Sequence, residues 1–348
     1  MTRFSPNCAI TSVGSLPHLD PPEACRLILE YCKEAPAWPQ LPNLGFKQSM
    51  YVQYAYDFPD IVMDEEKEQI YVDIERLEAA HLEEFLQKVQ KEELDEFSYG
   101  EDYFMGLFEM LEQAKDSPDI RILKGQVTGP ISLGLKLTDQ KKMSIIYDET
   151  LNQILTQHLR MKAKWQQRAL AEVFPQTLIV FDEPYMNMFG SAFLNLGGED
   201  VLRMIAEVTD GVPGLLGLHC CGNTDWGLMM DTGVDVISLD AYNAGDVLAL
   251  YSDKVREFLS RGGILAWGIV PSVPSAFLEE SQESLLKRLE KTMGLLIKKD
   301  IEEDVLLNQS LITPSCGLVG MEEGMAENAL AVTKWISDSL RKKHNLED

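Results

Sequence analysis

From about residue 120 onward, short apolar runs alternate with longer stretches whose apolar positions recur at helical spacing. IRILKGQV (120–127) is followed by a helical pattern over about 141–172, and LIVFDE (178–183) by one over about 199–208. LLGLH (215–219) precedes WGLMMDTG, and DVISLD (235–240) precedes DVLALYSDKVREFLSRG. ILAWGIV (264–270) leads to a helix over about 279–299, and VLLNQSLI (305–312) to one over about 322–343. Several runs are continuously apolar, as expected of a parallel sheet covered on both faces. Such consecutive β–α units predict a parallel α/β fold, with one more strand at CAITSVG (8–14) before a helix beginning near Pro21. The stretch 36–119 is less regular: PAWPQLPN reads as a Pro-rich loop and the acidic segment after it as helical excursions. The expectation is one (β/α)8 TIM barrel domain over 1–348 with an acidic helical insertion at about 36–119. A doubly wound open sheet is the runner-up. Its nucleotide-binding versions lose support, since no G-x-G-x-x-G follows a strand and no G-x-x-x-x-G-K-[ST] occurs.

Composition narrows the partners. The 348 residues are 45% hydrophobic and 25% charged, an ordinary globular mixture able to bury a core without disulfides. Asp and Glu number 56 against 31 Lys and Arg, a formal charge of −25, which disfavours nucleic acid and anionic membrane surfaces. Between 64 and 102 there are 15 acids and 4 bases, which reads as a solvated helical face. No apolar run reaches the roughly 18 residues that span a bilayer, and MTRFSPNCAI lacks a secretory pattern. A cytoplasmic location is expected, where the six cysteines would be ligands or core residues.

Chemistry concentrates at the ends of the apolar runs. His219 and Cys221 lie in LLGLHCCGNTD, and Cys316 in LLNQSLITPSCGL. Residues i and i+2 of a strand face the same way, so His219 and Cys221 can share an ion while Cys220 points elsewhere. Asp240 ends DVISLD, Asp182 and Glu183 end LIVFDE, and Ser15 follows CAITSVG. In an α/β barrel all these positions converge on one face. A zinc site of His219, Cys221 and Cys316 is expected, with Asp240 either a fourth ligand or a hydrogen-bond partner of His219. One imidazole and two thiolates balance the charge of Zn2+, so a bound substrate thiol becomes a zinc thiolate whose sulfur stays electron-rich and can attack a methyl carbon. Hydrolytic zinc sites more often use less anionic ligand sets.

Other residues read as structural. His81, His158 and His344 fall in charged helical stretches and should be solvated, and His18 in SLPHLD reads as a surface or loop-capping residue. Cys25 and Cys32, seven residues apart, share a buried helical face. Met186 and Met188 follow FDEP and either line the pocket or pack, and Trp38 is a lid candidate.

The pieces TSVGSLP (11–17), GQVTGP (125–130), FDEP (181–184), HCCGNT (219–224), VISLD (236–240) and PSCGL (314–318) run in order over nearly the whole chain. In them the chain resembles the superfamily of cobalamin-independent methionine synthase, uroporphyrinogen decarboxylase and the zinc-dependent methylcorrinoid:thiol methyltransferases. In character it is similar to single-barrel members of the last group. The resemblance implies a (β/α)8 barrel, zinc on His219, Cys221 and Cys316, and Asp240 at an acidic ligand position. It also makes Val13, Gly14, Ser15, Asp182 and Glu183 substrate-binding candidates, Val13 to Ser15 and Asp182 for the backbone of homocysteine or a similar thiol. Two departures matter. Where the folate-dependent enzymes carry a histidine in D-I-H-S-P-N-V-P-S, WGIVPSVPS (267–275) has Ile269. An amine leaving group needs a proton that a corrinoid does not, so the expected donor is a methylcorrinoid, carried on a partner protein, ahead of methyltetrahydrofolate. The acidic residue that grips the homocysteine amine also has no match in QSMYVQYAYD (48–57). Two other readings compete. A metal-free uroporphyrinogen-type decarboxylase would need an arginine-rich N-terminus, and only Arg3 and Arg26 fall in the first 50 residues. A non-catalytic zinc or corrinoid-binding protein is the third.

Overall fold

The computed structural model describes residues 4–346, so Arg3 lies outside the described residues. Ten strands are present: β1 (Ala9–Ile10), β2 (Ile61–Asp64), β3 (Gln69–Val72), β4 (Leu123–Thr128), β5 (Thr138–Asp139), β6 (Thr177–Asp182), β7 (Leu215–Cys220), β8 (Val236–Leu239), β9 (Ile264–Val270) and β10 (Ser310–Pro314). Seven form one curled parallel sheet in the order β1-β10-β9-β8-β7-β6-β4. Because every pair is parallel, all the strands end on the same side, and helices return the chain along the outside.

Helix starts follow local capping. Asp20 accepts from the Glu23 N–H ahead of Pro21–Tyr31, whose leading prolines have no N–H to satisfy there. Asp148 accepts from Leu151 N at the head of Glu149–Val173, and Ser281 starts Gln282–Ile297 in the same manner. The helices expected near 199–208 and 322–343 are Gly198–Thr209 and Glu323–His344. Several boundaries differ: the helix expected from about 141 begins at Glu149, CAITSVG is strand only at Ala9–Ile10, and VLLN of VLLNQSLI belongs to helix Glu303–Asn308, with Ser310–Pro314 as strand. A short apolar run carries no period that separates the two.

The sheet has two apolar sides. Ile122, Leu178, Val180, Val236, Ile264, Ala266, Leu311 and Ala9 form a separate inner cluster, while Ile179, Phe181, Leu218, Ile237, Trp267 and Ile312 belong to the larger layer under the helices. The inner cluster lies toward the strand starts, and residues two and four positions further along the same strand faces are polar: Lys124, Asp182, His219 and Ser238. An apolar plug therefore carries a polar floor.

Residues 36–40 run between the two edges of the sheet. Lys124 N donates to Pro36 O (2.9 Å) and Trp38 N to Lys124 O (3.4 Å) on the β4 side. Leu16 N donates to Gln40 O (2.9 Å) and Gln40 N to Gly14 O (3.2 Å) beyond β1. Trp38 is accordingly fully buried, its indole N–H donating to Gln166 Oε1 (2.9 Å), and is not a lid. The acidic region holds more than helix. β2 and β3 form an antiparallel hairpin whose turn carries Glu65–Glu68, and β5 adds to its edge. His158 is buried rather than solvated, enclosed by the rings of Phe58, Phe85 and Phe97. Among the described residues no helix is long and apolar enough to cross a membrane.

Candidate metal centre

Register sets the floor of the site. Asp182 on β6 is paired with His219 on β7, and His219 with Ser238 on β8, so the three occupy neighbouring positions at the strand ends. Cys221 follows β7 directly, and Cys316 follows β10 two residues after its end. The ligand atoms of His219, Cys221 and Cys316 lie within 4.8 Å of one another. Two chain segments thus deliver one imidazole and two thiols to a single point.

The donor set fits a zinc ion. His219 is 4% exposed; its Nδ1 is 2.9 Å from Ser238 Oγ and its Nε2 has no partner. A buried ring nitrogen without a hydrogen bond is costly, and an imidazole fixed through one nitrogen with the other facing two thiols is a ligand geometry. The Cys316 thiol and the His219 ring beside it draw the Cys221 thiol well below its ordinary value. Cys316 moves the other way, through its contact with Cys221 and through burial, because a second thiolate beside the first is unfavourable. Cys220 is buried in the outer layer with its thiol 3.5 Å from Gly222 O, apart from this group.

Asp240 is engaged with the chain that follows it. Its Oδ1 accepts from Asn243 N (2.9 Å) and its Oδ2 from Asn243 Nδ2 (2.7 Å), which makes it the cap of the helical turn Ala241–Ala244. It lies outside the three-residue group, and Ser238 is the partner of His219. Glu183 is also engaged structurally. Its carboxylate accepts from Ile131 N (2.9 Å) and Ser132 N (2.8 Å) at the start of Pro130–Lys136. No Cβ would fit at Gly129 against that carboxylate, which explains the glycine of GQVTGP. Burial nevertheless pushes Glu183 up to about 7.

Asp182 is buried with Oδ1 unpartnered, and burial pushes it up to about 6 against the pull of His219 and Lys124. The Val13–Ser15 turn lies beside the Cys316 loop: Leu318 N donates to Ser15 O (2.8 Å), and Ser15 Oγ leaves no room for a Cβ on Gly317. Gly14 has φ +152°, and a Cβ there would meet Gln126 Nε2 at 2.9 Å, so only glycine lets the turn close. His18 is buried with Nδ1 unpartnered, not on the surface. Met186 is fully buried and Met188 packs against the outer core.

Sequence reasoning missed Ser238, Lys124 and an aromatic pair, Tyr51 and Tyr185, whose ring centroids are 6.4 Å apart. The available signals were a serine inside the otherwise apolar run VISL and a lysine that shares a fully buried strand with Gln126 and Thr128.

No family model matches the chain, and no curated protein matches it in sequence. Solved structures do match in shape. A structure from a Shewanella species, described as a B12-independent methionine synthase in complex with selenomethionine, is 15% identical with a TM-score of 0.59, covering 97% of this chain and 98% of that one. A methyltransferase from Methanosarcina mazei is 17% identical with a TM-score of 0.57, covering 94% and 93%. The chain therefore has the α/β fold of methionine-synthase-like methyltransferases, over its length and theirs.

Proposed function

We propose that this protein is a zinc-dependent methyltransferase that methylates a small thiol, homocysteine or a similar acceptor, and that residues 36–40 supply the eighth strand position of a single (β/α)8 barrel domain. The observation that carries the reading is the orphaned Nε2 of His219 facing Cys221 and Cys316 at the ends of parallel strands. The fold shared with the Shewanella and Methanosarcina proteins supports it.

His219, Cys221 and Cys316 would hold the ion, with Ser238 fixing the ring so that Nε2 faces it. Zinc bound there lowers the pKa of an incoming thiol while the two thiolates keep the acceptor sulfur electron-rich. The backbone of Val13–Ser15 and the free oxygen of Asp182 would orient the acceptor's polar end. The apolar plug below closes the floor, so the acceptor enters only from the strand-end side. In the transfer the acceptor sulfur forms the new S–CH3 bond as the donor's bond to that carbon breaks in line, and the sulfur's proton leaves to solvent beforehand.

The donor reading follows from Ile269. It is fully buried and packs in the outer layer with Trp267, so that position offers no acid. A methylcorrinoid, carried by a partner protein, leaves without needing a proton; a methylfolate does not. The test is zinc-loaded protein incubated with homocysteine and other thiols, with methylcobalamin in one arm and 5-methyltetrahydrofolate in the other. Thioether formation in the cobalamin arm is expected. Turnover only with the folate replaces the donor, and no turnover with either, or activity indifferent to Cys221→Ala, removes the reading.

A further inference from the structure

An ammonium buried inside a sheet loses its hydration, and such groups persist where a partner or a task retains them. Lys124 is 4% exposed and sits on β4 among polar residues above the apolar plug. Its Nζ donates to the carbonyl of Val13 (2.7 Å), and its charge acts on Asp182. It therefore touches one of the two groups assigned to the acceptor and, with His219, adds positive charge near the other. The backbone of residues 36–38 bonds to Lys124 on its outer edge, which fixes the strand from which the side chain reaches.

We propose that Lys124 is a positioning residue for the acceptor thiol: it ties the Val13–Ser15 turn to β4 and places a positive charge beside Asp182, so that the acceptor's polar end meets both in one fixed geometry. This rests on the thiol-methyltransferase reading. Gly14 and Gln126 give the turn its closed shape, but Lys124 supplies the hydrogen bond that stops the Val13 carbonyl from swinging. The Cys316 loop is held separately, by Ser315 N donating to Val270 O (2.8 Å) and Ser272 N to Ser315 Oγ (3.1 Å). Loss of Lys124 should thus reach the acceptor without reaching the metal ligands.

The test compares wild type, Lys124→Met and Lys124→Gln for zinc content, thermal unfolding and steady-state kinetics with two thiols. Homocysteine carries an amino-acid end; 2-mercaptoethanol does not. Lys124→Met is expected to raise KM for homocysteine by about 10- to 100-fold, the usual effect of losing a charged hydrogen bond. Its kcat, its zinc content and its KM for 2-mercaptoethanol should stay near wild type. Lys124→Gln keeps a donor for Val13 O without the charge and should fall between; it also serves if the methionine variant does not fold. An unchanged homocysteine KM, an equal rise for both thiols, or joint loss of zinc and kcat each overturns the proposal. If wild type methylates no thiol, the function reading fails instead. Thiol titration of the cobalt-substituted protein, followed by absorbance, then reads the effect of Lys124 without turnover, and identical homocysteine titrations of wild type and variant overturn it.

Discussion

At the scale of single residues, the centre turns on how one imidazole is held. Ser238 Oγ is the partner of His219 Nδ1, and nothing else hydrogen-bonds the ring. Ser238→Ala should weaken zinc binding by about 10- to 100-fold, as loss of a ligand's orienting partner does, with unfolding temperature little changed. Chelator competition measures it, and wild-type affinity would show that packing alone fixes the ring. Cys220 and Cys221 form an internal control. Cys220→Ala should keep stoichiometric zinc and lose only packing, while Cys221→Ala should lose the metal, by elemental analysis of purified protein. The distinction between these adjacent cysteines was legible in the sequence, because H-x-C spacing puts one on the ligand face and the other behind it. Ser238 and Lys124 were not: a single polar side chain in a buried strand has no spacing signature of its own, and only β6–β7–β8 register brings Ser238 to His219. Asp240 and Glu183 show that such a position can also serve the chain itself. A carboxylate at a strand end is also the first available cap for the next helix.

At the scale of elements, the strand–helix alternation from 120 onward was readable because each unit has its own period and its own breaks. The 36–119 region was not, since its order depends on partners far away in sequence. Residues 36–40 bond to both sheet edges, and the β2–β3 turn is acidic enough to resemble a solvated helix. Helix Glu149–Val173 shows the same limit. Its charged composition suggested an exposed His158, yet the ring sits among aromatics with Nε2 3.1 Å from Tyr54 O. Burial lowers its pKa to about 3 from an ordinary 6.5, with Lys162 acting in the same direction and the Tyr54 contact opposing. The unfolded chain then binds the proton that the folded one refuses. His158 costs nothing above about pH 6.5 and progressively destabilises the fold as pH falls toward 3. His158→Gln can still donate to Tyr54 O but does not titrate. Its stability against pH, from urea denaturation, should fall less steeply between those limits, by up to about 1.4 kcal/mol per pH unit. An unchanged slope would mean that other groups govern acid unfolding.

At the scale of the whole molecule, the candidate metal centre would join parts of the sheet that backbone pairing does not. β7 and β10 are separated by β8 and β9; the end of β7 and the residue after it carry His219 and Cys221, and the loop after β10 carries Cys316. An ion held between them would tie the strand-end side of the fold together, opposite the inner apolar cluster at the strand starts. Such binding free energy adds to stability, because the unfolded chain scatters the ligands. At free zinc about 100 times its Kd, the gain is roughly 2.7 kcal/mol. Differential scanning calorimetry should therefore show an unfolding temperature that rises with zinc and falls with chelator. Cys316→Ser should abolish that dependence while retaining the same sheet. Asp240→Asn should lower stability at every zinc concentration, through a weakened helix cap, yet preserve the zinc-dependent increment, because Asp240 is turned to Asn243 and not to the ligand group. If Asp240→Asn erased the increment, the carboxylate would be a ligand after all. If wild type showed no increment, the three-residue group would not be a metal centre, and the methyl-transfer reading built on it would fall with it.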